Sequence, residues 1–232
     1  MVPRIKQQET IANNLANVST PGYKKDLLFT RELTRQQSKN AVRQTDWQTP
    51  MIDQIYTQHS QGTLDKTGNP LDLALEGEGF LLVESPEGEA LLTRAGNFSV
   101  DPQGFLSTSD GNRLMGEGGT INVGNGDVSI SEAGQVEVNN DVVGTIRVVE
   151  VENKNQLQKI GRSAFMIPNG IEPVAAVNFA IRQGYLETSN VDIVKEMVEM
   201  IVSYRNYEAD AKSLQTQDQS LEKLMSNVGR IR

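Results

Sequence analysis

The chain has 232 residues, a formal net charge of −8 and an apolar fraction of 37%, with no Cys and a single His. That length fits one or two domains. The lack of Cys excludes disulfides, thiol chemistry and Cys-ligated metal, and a lone His59 excludes a His-cluster metal site. No apolar run approaches the ~18 residues that span a bilayer, and no basic-then-apolar leader opens the chain.

The charge is unevenly spread. Residues 1–45 carry eight Lys/Arg against three Asp/Glu, and residues 46–182 carry eight against nineteen. A basic arm on an acidic body raises a binding module for nucleic acid or an anionic surface as an alternative. The basic residues Arg4, Lys6, Lys24, Lys25, Arg31, Arg35, Lys39 and Arg43 are scattered, with only Tyr23 and Phe29 as aromatic neighbours. A solvated face or a contact with an acidic neighbour fits them better, and no nucleic-acid partner is expected.

Residues 4–18 read as a helix, with Ile5, Ala12 and Leu15 on one face, ended by Thr20-Pro21-Gly22. Leu27, Leu28 and Leu33 fit a further helical turn or two, and residues 36–50 are polar and read as extended. Between Gly62 and Gly170 lie seventeen of the 20 glycines. Short β-rich runs alternate there with turn signals: Leu71–Leu75, Phe80–Val83, Ala90–Thr93, Val128–Ile130, Val136–Val138, Thr145–Val151 and Ser163–Ile167. This pattern predicts antiparallel sheets, and no helix-length segment interrupts it as a doubly wound α/β fold would require. Thr145–Val151 alternates only loosely, so both its faces are expected to be partly covered.

After Gly184 the chain runs 44 residues without Gly or Pro. The spacing predicts a long helix within Gln183–Val228, capped by Ser189 or Asn190 with Asp192 in its first turn. Its stripe is Val194, Met197, Ile201, Tyr204, Tyr207, Ala211, Leu214, Asp218, Leu221, Met225 and Val228. The mean step of about 3.4 is close to a left-handed coiled-coil seam. A step of three at Tyr204–Tyr207 is expected to overwind that seam, and Asp218 to sit at a wet or inter-subunit contact. The shorter N-terminal helix covers only part of the stripe, so assembly is expected to cover the rest.

The expected fold is therefore a β-rich central body of antiparallel sheets, flanked by terminal helices that pair into a coiled-coil-like stalk. Residues 1–35 form an N-terminal helical segment, 36–61 an extended linker, 62–182 the body, and 183–232 the long C-terminal helix.

The chemistry-bearing motifs fail their context tests. The glycines of Gly77-Glu78-Gly79, Gly116-Glu117-Gly118-Gly119 and Gly124-Asn125-Gly126 do not lead from a strand into a helix N-terminus, so no phosphate cradle follows. Asp101, Asp110 and Asn112 lack the alternating spacing and terminal Glu of a calcium loop. There is no nucleophile elbow, and His59 reads as a surface or strand-edge residue. No enzyme, cofactor or metal site is expected.

Three stretches carry a resemblance. Ala12-Asn13-Asn14-Leu15-Ala16-Asn17-Val18-Ser19-Thr20-Pro21-Gly22-Tyr23-Lys24 resembles the N-terminal signature of bacterial flagellar rod, hook and hook-associated proteins. Gly62-Thr63-Leu64, Thr67 to Phe80, and Thr93-Arg94-Ala95-Gly96-Asn97-Phe98 look like body motifs of the longer rod proteins and the hook protein. Gln183 to Asp192, Glu196-Met197-Val198 and Tyr204-Arg205-Asn206-Tyr207-Glu208 look like that family's C-terminal segment. The match runs nearly the whole chain in order.

The resemblance implies a non-catalytic structural subunit of the flagellar basal-body rod, in which paired terminal helices line an inner tube around the export channel. The implied partners are further copies of the chain, other axial proteins of rod and hook, and the flagellar type III export apparatus, with delivery to the periplasmic rod without a cleaved signal. The implied assembly interface is Asn14, Leu15, Asn17, Val194, Met197, Ile201, Tyr204, Tyr207, Ala211, Leu214, Leu221, Met225 and Val228. The short middle and Val143-Gly144-Thr145-Ile146-Arg147-Val148-Val149 look more like the proximal than the distal rod member, and a hook protein fits less well. The start at Met1-Val2-Pro3 departs from the family pattern, which has a further short segment here, and reads as a truncation or a short member.

Overall fold

The structure, a computed structural model, describes residues 2–34, 48–168 and 170–228. The chain divides into two compact units. One comprises Met1–Ala16, Asp26–Tyr56 and Asp192–Arg232; the other comprises Asn17–Lys25 and Thr57–Val191.

In the first unit, helix α1 (Val2–Ala16) packs on helix α2 (Ile193–Val228). Arg4 Nε meets Asp210 Oδ2 at 2.5 Å, and Asn14 Nδ2 donates to Glu196 Oε2 at 3.3 Å. Those two pairs make the helices antiparallel. α1 stops at Ala16, two residues before its expected end. There Asn17 O accepts from Thr20 N at 3.1 Å and turns the chain. Just before that, the Asn14 side chain bridges Asp26, donating to its O and accepting from its N, both at 2.9 Å.

The expected helical turns at Leu27, Leu28 and Leu33 are instead a strand, Asp26–Thr34, paired with Gln48–Thr57. Phe29 and Tyr56 meet edge to face across that pair, ring centroids 6.3 Å apart, a contact of the kind that stabilises neighbouring strands. Within the expected linker Gln48–Thr57 is thus a paired strand, residues 58–61 follow it outside any strand, and residues 35–47 lie outside the described residues.

The second unit is built of antiparallel sheets. The largest runs in the order Gln158–Ile160, Ala164–Met166, Ala90–Thr93, Phe80–Glu84, Arg113–Gly116, Leu106–Ser107, Ser99–Val100. Val148–Glu150 also pairs with Phe80–Glu84 and bridges to Val174–Ala175. Phe80–Glu84 is apolar at every position but the last because both faces are covered. Leu81 and Val83 enter one core with Leu73, Leu75, Leu114, Val136 and Ile181, while Phe80 and Leu82 enter a second with Leu92, Val149 and Phe165. A strand buried on both faces reads as a continuous apolar run rather than an alternating one. The run expected at Thr145–Val151 is not one strand: Asp141–Thr145 ends there in a three-stranded sheet and Val148–Glu150 begins in the largest one, with Val148 in the first core and Val149 and Val151 in the second.

The strands expected at Phe80, Ala90, Val128 and Val136 stand where the pattern placed them. The C-terminal boundary does not. Residues 183–187 are the end of one strand (Phe179–Gln183, paired with Leu73–Gly77) and all of another (Tyr185–Glu187, paired with Leu64–Lys66). The β body therefore extends past residue 182. α2 begins only at Ile193, and its cap is Asp192, whose Oδ1 accepts from Lys195 N at 3.1 Å. Ser189 Oγ accepts from Val191 N instead, and Asn190 is engaged elsewhere. Among the described residues no helix is long and apolar enough to cross a membrane.

Candidate functional site

α2 is 36 residues long, about 54 Å at 1.5 Å per residue. The burial pattern shows which side α1 takes. Glu196 and Ser203 are buried, and Glu199, Met200, Tyr207, Asp210 and Ala211 are half-buried. At 100° per residue, Ser203, Tyr207 and Asp210 fall within about 40° of Glu196, whereas Val194, Met197, Ile201 and Tyr204 lie about 80–160° away. The first four residues of the expected stripe are therefore not on the α1 side. They remain exposed, with Val194 at 71% and Ile201 at 56%, and the adjoining Val198 and Val202 widen the apolar surface.

The stripe changes face at Tyr204–Tyr207. From Tyr207 onward, Ala211, Leu214, Leu221 and Met225 come within about 60° of the Glu196 line. Past the Arg4–Asp210 contact, however, Leu214, Leu221 and Met225 are exposed, as are Asp218 and Leu224. The step of three thus divides one stripe into two surfaces rather than overwinding a single seam. The Val228 side chain lies outside the described residues. At the other end of the predicted interface, Asn14 is buried and committed within the chain, and Leu15 and Asn17 are half-buried.

The second unit contains a buried charge cluster that sequence reasoning did not single out. Glu187, 0% exposed, accepts from Lys24 Nζ at 2.5 Å, from Gly62 N at 2.9 Å and from Arg94 Nη1 at 3.2 Å. Its backbone O accepts from Gly22 N at 2.8 Å. Arg94 spends its other donors on carbonyls: Nε on Gly79 O at 2.6 Å, Nη1 on Leu75 O at 3.1 Å and Nη2 on Gly77 O at 2.7 Å. Lys24 Nζ also donates to Ser60 O at 2.8 Å. Burial pushes the pKa of both Lys24 and Arg94 down, and the Glu187 carboxylate opposes that shift in each case.

Two backbone approaches make this possible. Gly22 has φ of 66°, and a Cβ there would stand 2.2 Å from Ala95 N. A Cβ on Gly62 would stand 2.0 Å from Thr188 O. Only glycine permits either contact. Beside the cluster, Asn190 fastens the same chain segments. Its Oδ1 accepts from Lys25 N at 2.7 Å, and its Nδ2 donates to Gln58 O at 2.8 Å and Ser60 O at 3.1 Å. Lys159 Nζ lies 3.8 Å from the Tyr23 ring centre and donates to Lys24 O at 2.8 Å.

His59 is not the surface residue expected. It is half-buried, with ring centroids 5.6 Å from Phe80 and 5.1 Å from Phe165. Burial first, and the positive charge of Lys24 second, bring its pKa down to about 4. Among the described residues no group of three or more His, Asp or Glu stands close enough to hold a metal.

Three family models match the chain: "Flagella basal body rod protein" over residues 4–24, "Flagellar hook protein FlgE/F/G D1 domain" over 74–138, and "Flagellar basal body rod FlgEFG protein C-terminal" over 182–227. The flagellar basal-body rod protein FlgG of Buchnera aphidicola subsp. Acyrthosiphon pisum is 32% identical over 92% of this chain and 91% of its own length. The chain belongs to the flagellar basal-body rod protein family.

FlgG of Caulobacter vibrioides is 34% identical over 92% of this chain and 90% of its own length, and FlgF of the same organism is 30% identical over 97% and 93%. Rod proteins of both kinds thus match, FlgG more often, and the similarity does not separate the proximal from the distal member. The protein is a structural subunit of the flagellar basal-body rod. The charge cluster joins the three matched segments of a rod protein: Lys24 comes from the first, Arg94 from the second and Glu187 from the third. These side chains stood in the quoted motifs, but a Lys, Arg or Glu in a single sequence reads as a solvated charge. Only the pairing reveals its role.

Proposed function

We propose that this rod subunit assembles axially by burying the bare apolar surface of α2 against the helices of further copies of the chain. The observation that carries this is the exposure of Val194, Met197, Val198, Ile201, Val202 and Tyr204 on the side of α2 turned away from α1. This surface on one copy meets a different helix face on the next, and such a head-to-tail interface, repeated, builds a helical array. Six large apolar side chains, each about half exposed, would contribute on the order of 5–9 kcal/mol per interface on burial, before association costs. In the array the helices pack as a coiled-coil-like inner layer around the export channel, with neighbouring rod and hook proteins continuing it at either end. Subunits reach the periplasmic rod through the flagellar type III export apparatus.

The basic-arm alternative loses ground, because Arg4, Lys6 and Lys24 are engaged by Asp210, Glu9 and Glu187 of the same chain.

The test is Ile201→Asp in the full chain, with Val198→Asp as a second variant on the same side. Both are expected to remain dispersed at concentrations where the unaltered chain sediments as ordered assemblies in electron micrographs, while the thermal transition of the β body is unchanged. Ordered assemblies of normal yield from both variants would refute the proposal.

A further inference from the structure

The side of α2 that meets α1 is unlike the side left bare. Its two buried residues are Glu196 and Ser203, flanked by half-buried Met200, Tyr207 and Ala211 and by Asp210 in its ion pair with Arg4. α1 answers with Thr10, Ile11 and Asn14, of which only Ile11 is apolar. The antiparallel register brings Gln8 to the level of Ser203, and Gln8 Nε2 and Ser203 Oγ are both buried with no hydrogen-bond partner among the described residues. A buried polar atom without a partner opposes folding. Leucine would fit this position better if stability alone were at stake. The bare side, by contrast, offers Val, Met, Ile and Tyr to solvent.

We propose that the polar seam of Asn14, Glu196 and Ser203 sorts partners: between Glu196 and Asp210 it reserves one side of α2 for the chain's own α1 and directs other copies to the apolar side. The inference rests on the assembly proposed above. An α2 from another copy, presenting apolar side chains, would strand Glu196 and Ser203 in apolar surroundings. α1 brings Asn14 to Glu196 Oε2 and Arg4 to Asp210, contacts that an apolar helix face of another copy does not offer. A single polar pair in a helix interface is known to fix register and partner in this way. Were both sides apolar, copies could pair through either, and the array would not repeat one geometry.

The chain has no Cys, so a benzophenone attached to a single introduced cysteine marks whichever copy lies against it in the full-length protein. Val202→Cys reports the apolar side and Ala211→Cys the α1 side. With no other change, irradiation is expected to give covalent dimers through Val202→Cys and about tenfold fewer through Ala211→Cys. In the Glu196→Leu/Ser203→Leu background, dimers through Ala211→Cys should rise about fivefold. An unchanged ratio in that background overturns the proposal. If the double substitution lowers the helix signal in circular dichroism, Ser203→Ala, which removes only the unpartnered hydroxyl, takes its place. The same reporter should then rise about twofold, and no rise counts against sorting.

The two ideas fail differently. No cross-linking at either position in the otherwise unaltered chain would defeat the assembly itself, whereas equal cross-linking at both would defeat sorting alone.

Discussion

Replacing Glu187 with Gln should damage the second unit more than any other single change of equal size. Gln has nearly the same shape and keeps one carbonyl oxygen, so little packing is lost. It leaves the buried Lys24 ammonium and Arg94 guanidinium without their shared counter-charge. Removing one partner of a buried ion pair costs about 3–5 kcal/mol, because the remaining charge is stranded. The second unit spans residues 17–25 and 57–191, a size at which 1 kcal/mol moves the midpoint by roughly 3 °C. The expected fall in Tm is therefore about 10–15 °C, read by calorimetry or by the β-sheet signal in circular dichroism.

Two further substitutions separate charge from packing. Arg94→Met strands the carbonyls of Leu75, Gly77 and Gly79 as well as Glu187, so it should cost more than Lys24→Met. Replacing Lys24, Arg94 and Glu187 by Met together should recover part of the loss from Glu187→Gln, since no buried charge remains. A Tm for Glu187→Gln within about 3 °C of the unaltered chain would show that the cluster is not a buried, mutually dependent set.

Other expectations follow from the same contacts. Asn190→Ala removes the acceptor for Lys25 N and the donor to Gln58 O and Ser60 O, and should cost about 2–3 kcal/mol. Hydrogen exchange at Lys25 should speed up accordingly, and unchanged protection there would exclude the assigned bond. Gly22→Ala forces a side chain onto Ala95 N at positive φ and should cost at least 3 kcal/mol. Gly68→Ala, also at positive φ but with open space around it, should cost only about 1 kcal/mol, and denaturant midpoints compare the two. His59 has a folded-state pKa of about 4, below its ordinary value of 6.5. The unfolded chain therefore takes up this proton first as pH falls. The stabilisation from keeping His59 neutral is full above pH 6.5 and is lost between about pH 6.5 and 4, by up to about 3 kcal/mol. His59→Phe should flatten denaturant stability across that window, and an unaltered slope would contradict the assignment.

What the sequence disclosed and what it withheld have physical causes. Runs such as Phe80–Val83 and Ala90–Thr93 were legible because strands buried on both faces concentrate apolar residues between turn residues. Residues 183–187 were misjudged because their β state depends on Leu64–Lys66 and Leu73–Gly77, over a hundred residues upstream. Local freedom from Gly and Pro says nothing about such pairing. Leu27, Leu28 and Leu33 look helical by spacing and become a strand only through Gln48–Thr57. The stripe on α2 was legible as a list of apolar residues, and so was its irregular step at Tyr204–Tyr207, but the change of face there was not, since the two residues buried on the α1 side are polar. Glu196, Ser203 and Asp210 carry no apolar signal. The charge cluster was hidden for a similar reason: Lys24, Arg94 and Glu187 become a set only when folding brings them together.

The central claim is that the bare side of α2 becomes covered by other copies. A single cysteine at Val202, titrated with a maleimide before and after assembly, tests it most directly, with Glu87→Cys on an exposed turn of the body as the control. Labelling at Val202→Cys should slow at least about tenfold on assembly while the control is unaffected. Equal labelling rates at Val202→Cys in dispersed and assembled protein would contradict the account.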